Sequence, residues 1–67
     1  MTYTNSQIRD LIDEHIHSER DRGMLKRRLI DGIAFEPLAE EFDISVRQCK
    51  TIIYKGQTEL FRYLPTP

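Results

Sequence analysis

Two histidines close to acidic side chains are the first residues of this sequence that could do chemistry. His15 and His17 follow Asp13 and Glu14, and imidazole and carboxylate groups together bind metal ions or transfer protons. At a spacing of two residues on a helix, however, the two imidazoles point about 200° apart and do not easily share one ion. We therefore interpret both as surface histidines and predict no metal site.

The single cysteine, Cys49, is the other reactive side chain. It falls at an inward position of the predicted last helix, which favours a small buried hydrophobe. A redox sensor would instead need an exposed thiolate of low pKa. The chain has no paired Ser, His and Asp set, no phosphate-binding loop and no Cys-x-x-Cys motif, so we predict no enzymatic activity and no cofactor.

Length and composition favour a small interaction module. The chain has 67 residues, of which 39 % are hydrophobic and 31 % charged. A core of this size buries only about 60 % of the unfolded chain's surface, and no apolar run approaches the roughly 20 residues of a membrane span. One cysteine forms no internal disulfide and the start lacks a signal-peptide pattern, so we expect a cytoplasmic protein without membrane contact.

The net charge of −1 conceals four blocks of alternating sign. The blocks carry −3 in residues 1–19, +3 in 20–31, −4 in 32–43 and +3 in 44–67. A nucleic-acid footprint requires positive potential on one face rather than a positive total. Charge alone therefore leaves open both such a face and a mixed soluble surface.

Apolar residues at helical spacing predict an all-α domain of four helices. The predicted helices span about residues 5–17, 18–31, 35–42 and 45–64. The predicted N-caps are Asn5 or Ser6, then Ser18 and Ser45. Gly32 can adopt a left-handed conformation after the second helix, and Pro65 ends the last one.

The inward side of these helices defines the predicted core. Its members are Ile8, Leu11, Ile12, Ile16, Leu25, Leu29, Ile30, Cys49, Ile52, Ile53, Leu60 and Leu64. Gly56 lies in the middle of the last helix, where it indicates close packing of another element or, alternatively, a local hinge.

Residues 35–54 meet the requirements of a helix-turn-helix, in which two helices cross steeply over a short turn. Apolar residues occupy the inward offsets, and these are Leu38, Phe42, Ile44, Cys49 and Ile52. Ala39 supplies the small residue where the helices approach. Asp43 takes the turn position that Gly usually holds, and Asp tolerates the left-handed conformation better than most residues.

A longer pattern extends this motif in both directions. It consists of Leu25 to Leu29, Asp31-Gly32-Ile33-Ala34-Phe35-Glu36, Leu38-Ala39-Glu40-Glu41, Ile44-Ser45, Cys49-Lys50 and Leu60. From Arg20 to Leu64 the chain resembles the C-terminal, promoter −35-recognising domain of bacterial sigma factors and, more broadly, the LuxR-type helix-turn-helix group without a wing. The resemblance implies a stand-alone sigma-like domain, of the kind found among small phage or mobile-element regulators.

On this interpretation residues 1–67 form one domain with a long C-terminal recognition helix. The sigma-like core spans residues 18–64, and residues 1–17 add an N-terminal helix that the family match does not include. That helix either closes the core or offers a surface for a homodimer or another partner.

The resemblance implies that the last helix enters the major groove of double-stranded DNA. Its outward residues are Val46, Arg47, Gln48, Lys50, Thr51, Tyr54 and Lys55. Arg binds guanine and Gln binds adenine in a bidentate manner, so Arg47 and Gln48 are the candidate base readers. The residues that would contact phosphate are Lys50, Thr51, Tyr54 and Lys55. Candidates for the flanking backbone are the dense basic run and the last N-cap, namely Arg20, Arg22, Lys26, Arg27, Arg28 and Ser45. The helix macrodipole explains the charges of residues 26–28 equally well. A solvated polar helix face is the alternative for all of these positions.

Two functions of different classes follow. The first is a sequence-specific DNA-binding transcriptional regulator. The second is a protein-interaction module that docks on RNA polymerase or on a sigma or anti-sigma type of partner, since sigma domains of this type also dock on RNA polymerase.

Overall fold

The computed structural model describes residues 3–63, which form four α-helices and no strand. The helices are α1 (Asn5–His15), α2 (Glu19–Leu29), α3 (Phe35–Glu41) and α4 (Val46–Phe61). The predicted all-α fold with four helices is therefore confirmed. The predictions for Leu64 and Pro65 fall outside the described residues.

Hydroxyl side chains cap three of the helices. Ser18 Oγ accepts a hydrogen bond from the Asp21 N–H at 3.3 Å, so the predicted cap of α2 is confirmed. The cap of α1 is Thr4 rather than Asn5 or Ser6. Thr4 has a glutamine three residues later, and the two residues exchange side-chain and backbone hydrogen bonds in a capping box.

Helices α2 and α4 occupy the centre, and each packs against the other three helices. The side chains buried between them are Ile12, Ile16, Met24, Leu25, Leu38, Ala39, Cys49, Ile53 and Leu60. Because Ile12 and Ile16 belong to this core, the N-terminal segment closes it. Closing the core was one of the two roles considered for the N-terminal helix. Met24 was not predicted, although it is fully buried.

Gly56 marks the closest approach of α2 to α4. A Cβ atom at this position would lie 2.6 Å from Leu25 Cδ1, so the interpretation of close packing is confirmed and α4 continues through Gly56 without a hinge. Contact at this point brings the start of α2 near the first turns of α4. Among residues 3–63, no helix is long and apolar enough to cross a membrane.

Candidate nucleic-acid interface

Helices α3 and α4 pack against each other across a turn formed by residues 42–45. Asp43 adopts a left-handed conformation with φ of 56°, as predicted. The Ile44 N–H donates to Ala39 O at 3.0 Å and the Asp43 N–H donates to Glu40 O at 3.2 Å. These bonds end α3 and fix the direction in which α4 leaves, which is the arrangement expected of a helix-turn-helix.

Helix α4 separates its buried and exposed residues by face. Cys49 and Ile53 are fully buried, whereas Arg47, Lys50 and Thr51 are exposed. Burial raises the pKa of the Cys49 thiol, and the positive charge of Arg28 partly opposes this shift. The thiol is therefore a packing group beneath the exposed face rather than a reactive one.

Arg47 lies at the centre of the exposed face and keeps its guanidinium group available. Among residues 3–63, no carboxylate oxygen lies within 4.0 Å of its nitrogen atoms. Thr51 Oγ1 donates to Arg47 O at 3.0 Å, which settles the Thr51 side chain against the helix one turn later. Of the two predicted base readers, Arg47 is free to reach a guanine edge.

The side chains of Gln48 and Ser45 cap the N-terminus of α4 through hydrogen bonds from backbone N–H groups. Ser45 Oγ accepts from the Gln48 N–H at 3.1 Å, and Gln48 Oε1 accepts from the Ser45 N–H at 3.3 Å. The predicted N-cap at Ser45 is therefore confirmed. Bidentate reading of adenine needs both the oxygen and the NH₂ group of a glutamine, so Gln48 would have to leave this capping box to read a base.

Lys50 and Tyr54 lie against Phe35, which was not among the predicted DNA-contacting residues. The Lys50 Nζ atom lies 5.7 Å from the ring centroid, and the Tyr54 ring meets Phe35 edge-on at 5.8 Å. Arg28 covers the same ring, with its Cζ atom 4.2 Å from the centroid. Val46 is half-buried and lines a shallow hollow beside Phe35 and Lys50.

Lys55 occupies a different flank of α4. It lines a groove of about 410 Å³ together with the acidic residues Glu14, Asp21 and Glu59. The structure therefore does not bring Lys55 together with Arg47 and Lys50. The acidic lining makes this flank a poor surface for phosphate groups.

Arg27, one of the predicted backbone contacts, is bound within the protein. Its guanidinium donates to Glu41 at 2.8 Å and to Asp31 at 3.0 Å. The hydrogen bonds from Arg27 to Glu41, and then those to Asp31, raise the pKa of Arg27. A phosphate contact by Arg27 would require breaking these bonds.

Arg20, a member of the basic run of α2, also lies beside the exposed face, and its Nε atom donates to Asp21 Oδ1 at 3.3 Å. It lines a hollow of about 350 Å³ with Arg47, Gln48 and Thr51. Arg20 and Phe35 lie 27 and 12 residues before Arg47 in the sequence. No local pattern could have joined these positions to α4, because their proximity comes from the packing of α2 and α3.

The two histidines do not form a site. His17 is exposed, and the His15 ring stacks on Tyr63 with centroids 3.5 Å apart and planes 4° apart. His15 is therefore partly covered rather than a simple surface residue. Within residues 3–63, no group of three or more His, Cys, Asp or Glu side chains has a geometry that could hold a metal ion.

Comparisons with protein-family models, with curated protein sequences and with solved structures found no significant match to this chain.

Proposed function

We propose that this protein binds double-stranded DNA in a sequence-specific manner and regulates transcription, with α4 as the recognition helix. The observation that carries the proposal is the exposed face of α4. There Arg47 and Lys50 stand without a carboxylate within 4.0 Å among the described residues, on a helix held by α3 and a tight turn. This combination supports a sigma-like mode of binding.

The roles of the candidate residues follow from their surroundings. Arg47 reads a guanine edge, because its guanidinium is exposed and unpaired in residues 3–63. Lys50, Tyr54 and Arg28 contact phosphate beside it, and Thr51 contacts phosphate next to Arg47. Ser45 and Gln48 support the helix terminus that carries Arg47.

The direct test is selection of bound sequences from a random duplex pool at low salt. The proposal expects an enriched motif and tighter binding to it than to a scrambled duplex of the same composition. A single module with about four to six phosphate contacts also loses affinity steeply as salt rises. No enrichment by protein that circular dichroism shows to be folded would overturn the proposal.

A second candidate function, docking on RNA polymerase or a sigma-type partner, is favoured by a separate observation. Phe61 is 63 % exposed, beside an apolar hollow of about 70 Å³ that Ile8, Leu11, Leu29 and Leu60 line with it. Apolar patches of this kind are common at protein interfaces. Phe61 lies 14 residues after Arg47, which places it about 21 Å farther along the helix axis.

The two candidates are separable by substitution. Capture of RNA polymerase by the wild type and by Arg47→Ala, but not by Phe61→Ser, would support docking through the apolar hollow. Equal capture by all three proteins would exclude docking through the apolar hollow. Capture by none of them would exclude docking on RNA polymerase.

A further inference from the structure

We propose that Arg28 and Lys50, which both lie against the ring of Phe35, form a binding site for backbone phosphate at the edge of the α4 face. This inference rests on the proposed DNA binding and deepens it. Phe35 is a positioning residue in this account, since it acts through the two cations rather than on the DNA.

Three separate elements build the site, which we call the Phe35 cluster: Arg28, Phe35, Lys50 and Tyr54. Arg28 belongs to α2, Phe35 begins α3, and Lys50 and Tyr54 belong to α4. Both cations lie within the distance of about 6 Å at which an aromatic ring attracts a cation, at 4.2 Å for Arg28 and 5.7 Å for Lys50. Two positive charges that are 22 residues apart in the sequence therefore lie near the same ring.

Arg28 retains donors for a phosphate while it lies on the ring. Its Nη1 atom donates to Ile33 O at 3.0 Å, which fixes the orientation of the side chain. A guanidinium group has five N–H donors, so Arg28 has further donors besides the one that bonds Ile33 O. These donors suit the oxygen atoms of a phosphate.

The charge of the cluster is not cancelled by a close acidic partner. Within residues 3–63, no carboxylate oxygen lies within 4.0 Å of the Arg28 or Lys50 nitrogen atoms. Glu36 lines the same hollow as Phe35 and Lys50 but stays beyond that distance. An incoming phosphate would therefore meet two cations that have no competing ion pair.

Position also favours a phosphate ligand. Lys50 follows Arg47 by three residues, so the cluster borders the proposed base-reading residue along the same helix face. Contacts to phosphate on either side of base contacts are what fix the register of a recognition helix on DNA. The other function open to the cluster is structural, with the two cations only covering an apolar ring.

The test is a mutant cycle measured by equilibrium binding to the duplex recovered by selection. Arg28→Ala and Lys50→Ala should each reduce the slope of log K against log salt by about 0.9. Phe35→Leu should weaken binding by about two- to five-fold in the wild type and should have no effect in the Arg28→Ala, Lys50→Ala double variant. Phe35→Tyr keeps the ring and should retain affinity.

Controls distinguish the failure of this site from the failure of DNA binding. Arg9→Ala removes an exposed cation of α1 and should leave the salt slope unchanged, and thermal melting checks that every variant is folded. A Phe35→Leu effect of equal size in both backgrounds, or unchanged slopes for Arg28→Ala and Lys50→Ala, would overturn the phosphate site while DNA binding stands. Absence of binding by the wild type would instead overturn the proposed function and this site with it.

Discussion

Three of the five cations of α2 pair with carboxylates, whereas none of the three cations within α4 does so among residues 3–63. On α2, Lys26 pairs with Asp13 at 2.7 Å and Arg27 pairs with Glu41 at 2.8 Å. On α4, neither Arg47 nor Lys50 nor Lys55 has a carboxylate within 4.0 Å among residues 3–63. The basic block of residues 20–31 is thus partly paired within the protein, with Arg22 and Arg28 as the exceptions, whereas Arg62, which pairs with Glu59, is the one paired cation of block 44–67 among residues 3–63.

This difference shows why a block of charge in a sequence is weak evidence for a binding face. Two of the acidic partners of α2 are Asp13 of α1 and Glu41 of α3, so the two acidic blocks of the sequence partly serve to hold helices together. Exposed ion pairs of this kind contribute little stability each. They leave Arg28, Arg47 and Lys50 among the cations that have no carboxylate oxygen within 4.0 Å in residues 3–63.

The largest expected effect is on DNA affinity at Arg47. Arg47→Ala should weaken binding to the selected duplex by about 1–3 kcal/mol, because in the proposed complex the Arg47 guanidinium supplies the donors to one base pair. Lys26→Ala is the matched control and should change affinity by less than about two-fold, since Lys26 is paired with Asp13. Fluorescence anisotropy measures both, and equal losses for the two variants would remove the distinction between α2 and α4.

The next effect concerns the serines that begin the two helices. Ser45→Ala should lower the free energy of unfolding by about 0.5–2 kcal/mol, and Ser18→Ala should lower it by less within the same range. The reason is that Ser45 takes part in a reciprocal box with Gln48, whereas Ser18 accepts a single bond. Urea titration measures both, and a larger loss for Ser18→Ala would contradict this ranking.

Gln48 offers a sharper test of its two possible roles. As a capping residue it supports α4 as a whole, so Gln48→Ala should weaken binding to all duplexes by a similar small factor and lower the melting temperature. As a base reader it should instead relax the preference at one adenine position. Binding to a panel of single-base variants of the selected duplex separates these outcomes.

A smaller effect is expected at the ion pair between α2 and α3. Arg27→Ala should lower the melting temperature slightly, more at low salt than at about 1 M salt, where charges are screened within about 3 Å. DNA affinity should stay close to that of the wild type, because Arg27 is already bound to Glu41 and Asp31. A strong loss of affinity in Arg27→Ala would instead assign Arg27 to the DNA backbone.

The smallest effect is on the pH dependence of stability at Cys49. Burial raises the pKa of this thiol in the folded protein, so its contribution is present below the pKa of the unfolded thiol, about 8.5, and is lost as the pH rises above it. The wild type should therefore lose more stability between neutral and alkaline pH than Cys49→Ala does. Urea titration at both pH values checks this, and rapid alkylation of the folded protein at neutral pH would contradict a buried, protonated thiol.

Local signals in the sequence predicted much of the fold. The caps at Ser18 and Ser45, the turn at Asp43 and the close contact at Gly56 are all confirmed, because each depends on residues within a few positions or on one missing side chain. The N-cap of α1 is Thr4, one or two residues before the predicted Asn5 or Ser6. There the deciding feature is the capping box between Thr4 and Gln7, since Gln7 lies three residues after Thr4 but not after the predicted Asn5 or Ser6.

The site was less accessible to sequence reasoning than the fold. Helical spacing identified the exposed face of α4, but it gave no information on which cations would pair with carboxylates or pack on an aromatic ring. Glu41 lies 14 residues from Arg27, and Phe35 joins Arg28 to Lys50. Such contacts depend on how α2, α3 and α4 rotate about their axes, and residue spacing along one helix does not encode that rotation.

The central claim, that the unpaired cations of α4 read DNA, is tested most directly by parallel selection from a random duplex pool at low salt. Wild type, Lys26→Ala and Arg47→Ala would be compared side by side, after circular dichroism has shown that each is folded. The account predicts the same enriched motif for the wild type and Lys26→Ala, and a motif altered at one position for Arg47→Ala. One motif common to all three proteins, or no enrichment by the folded wild type, would contradict it.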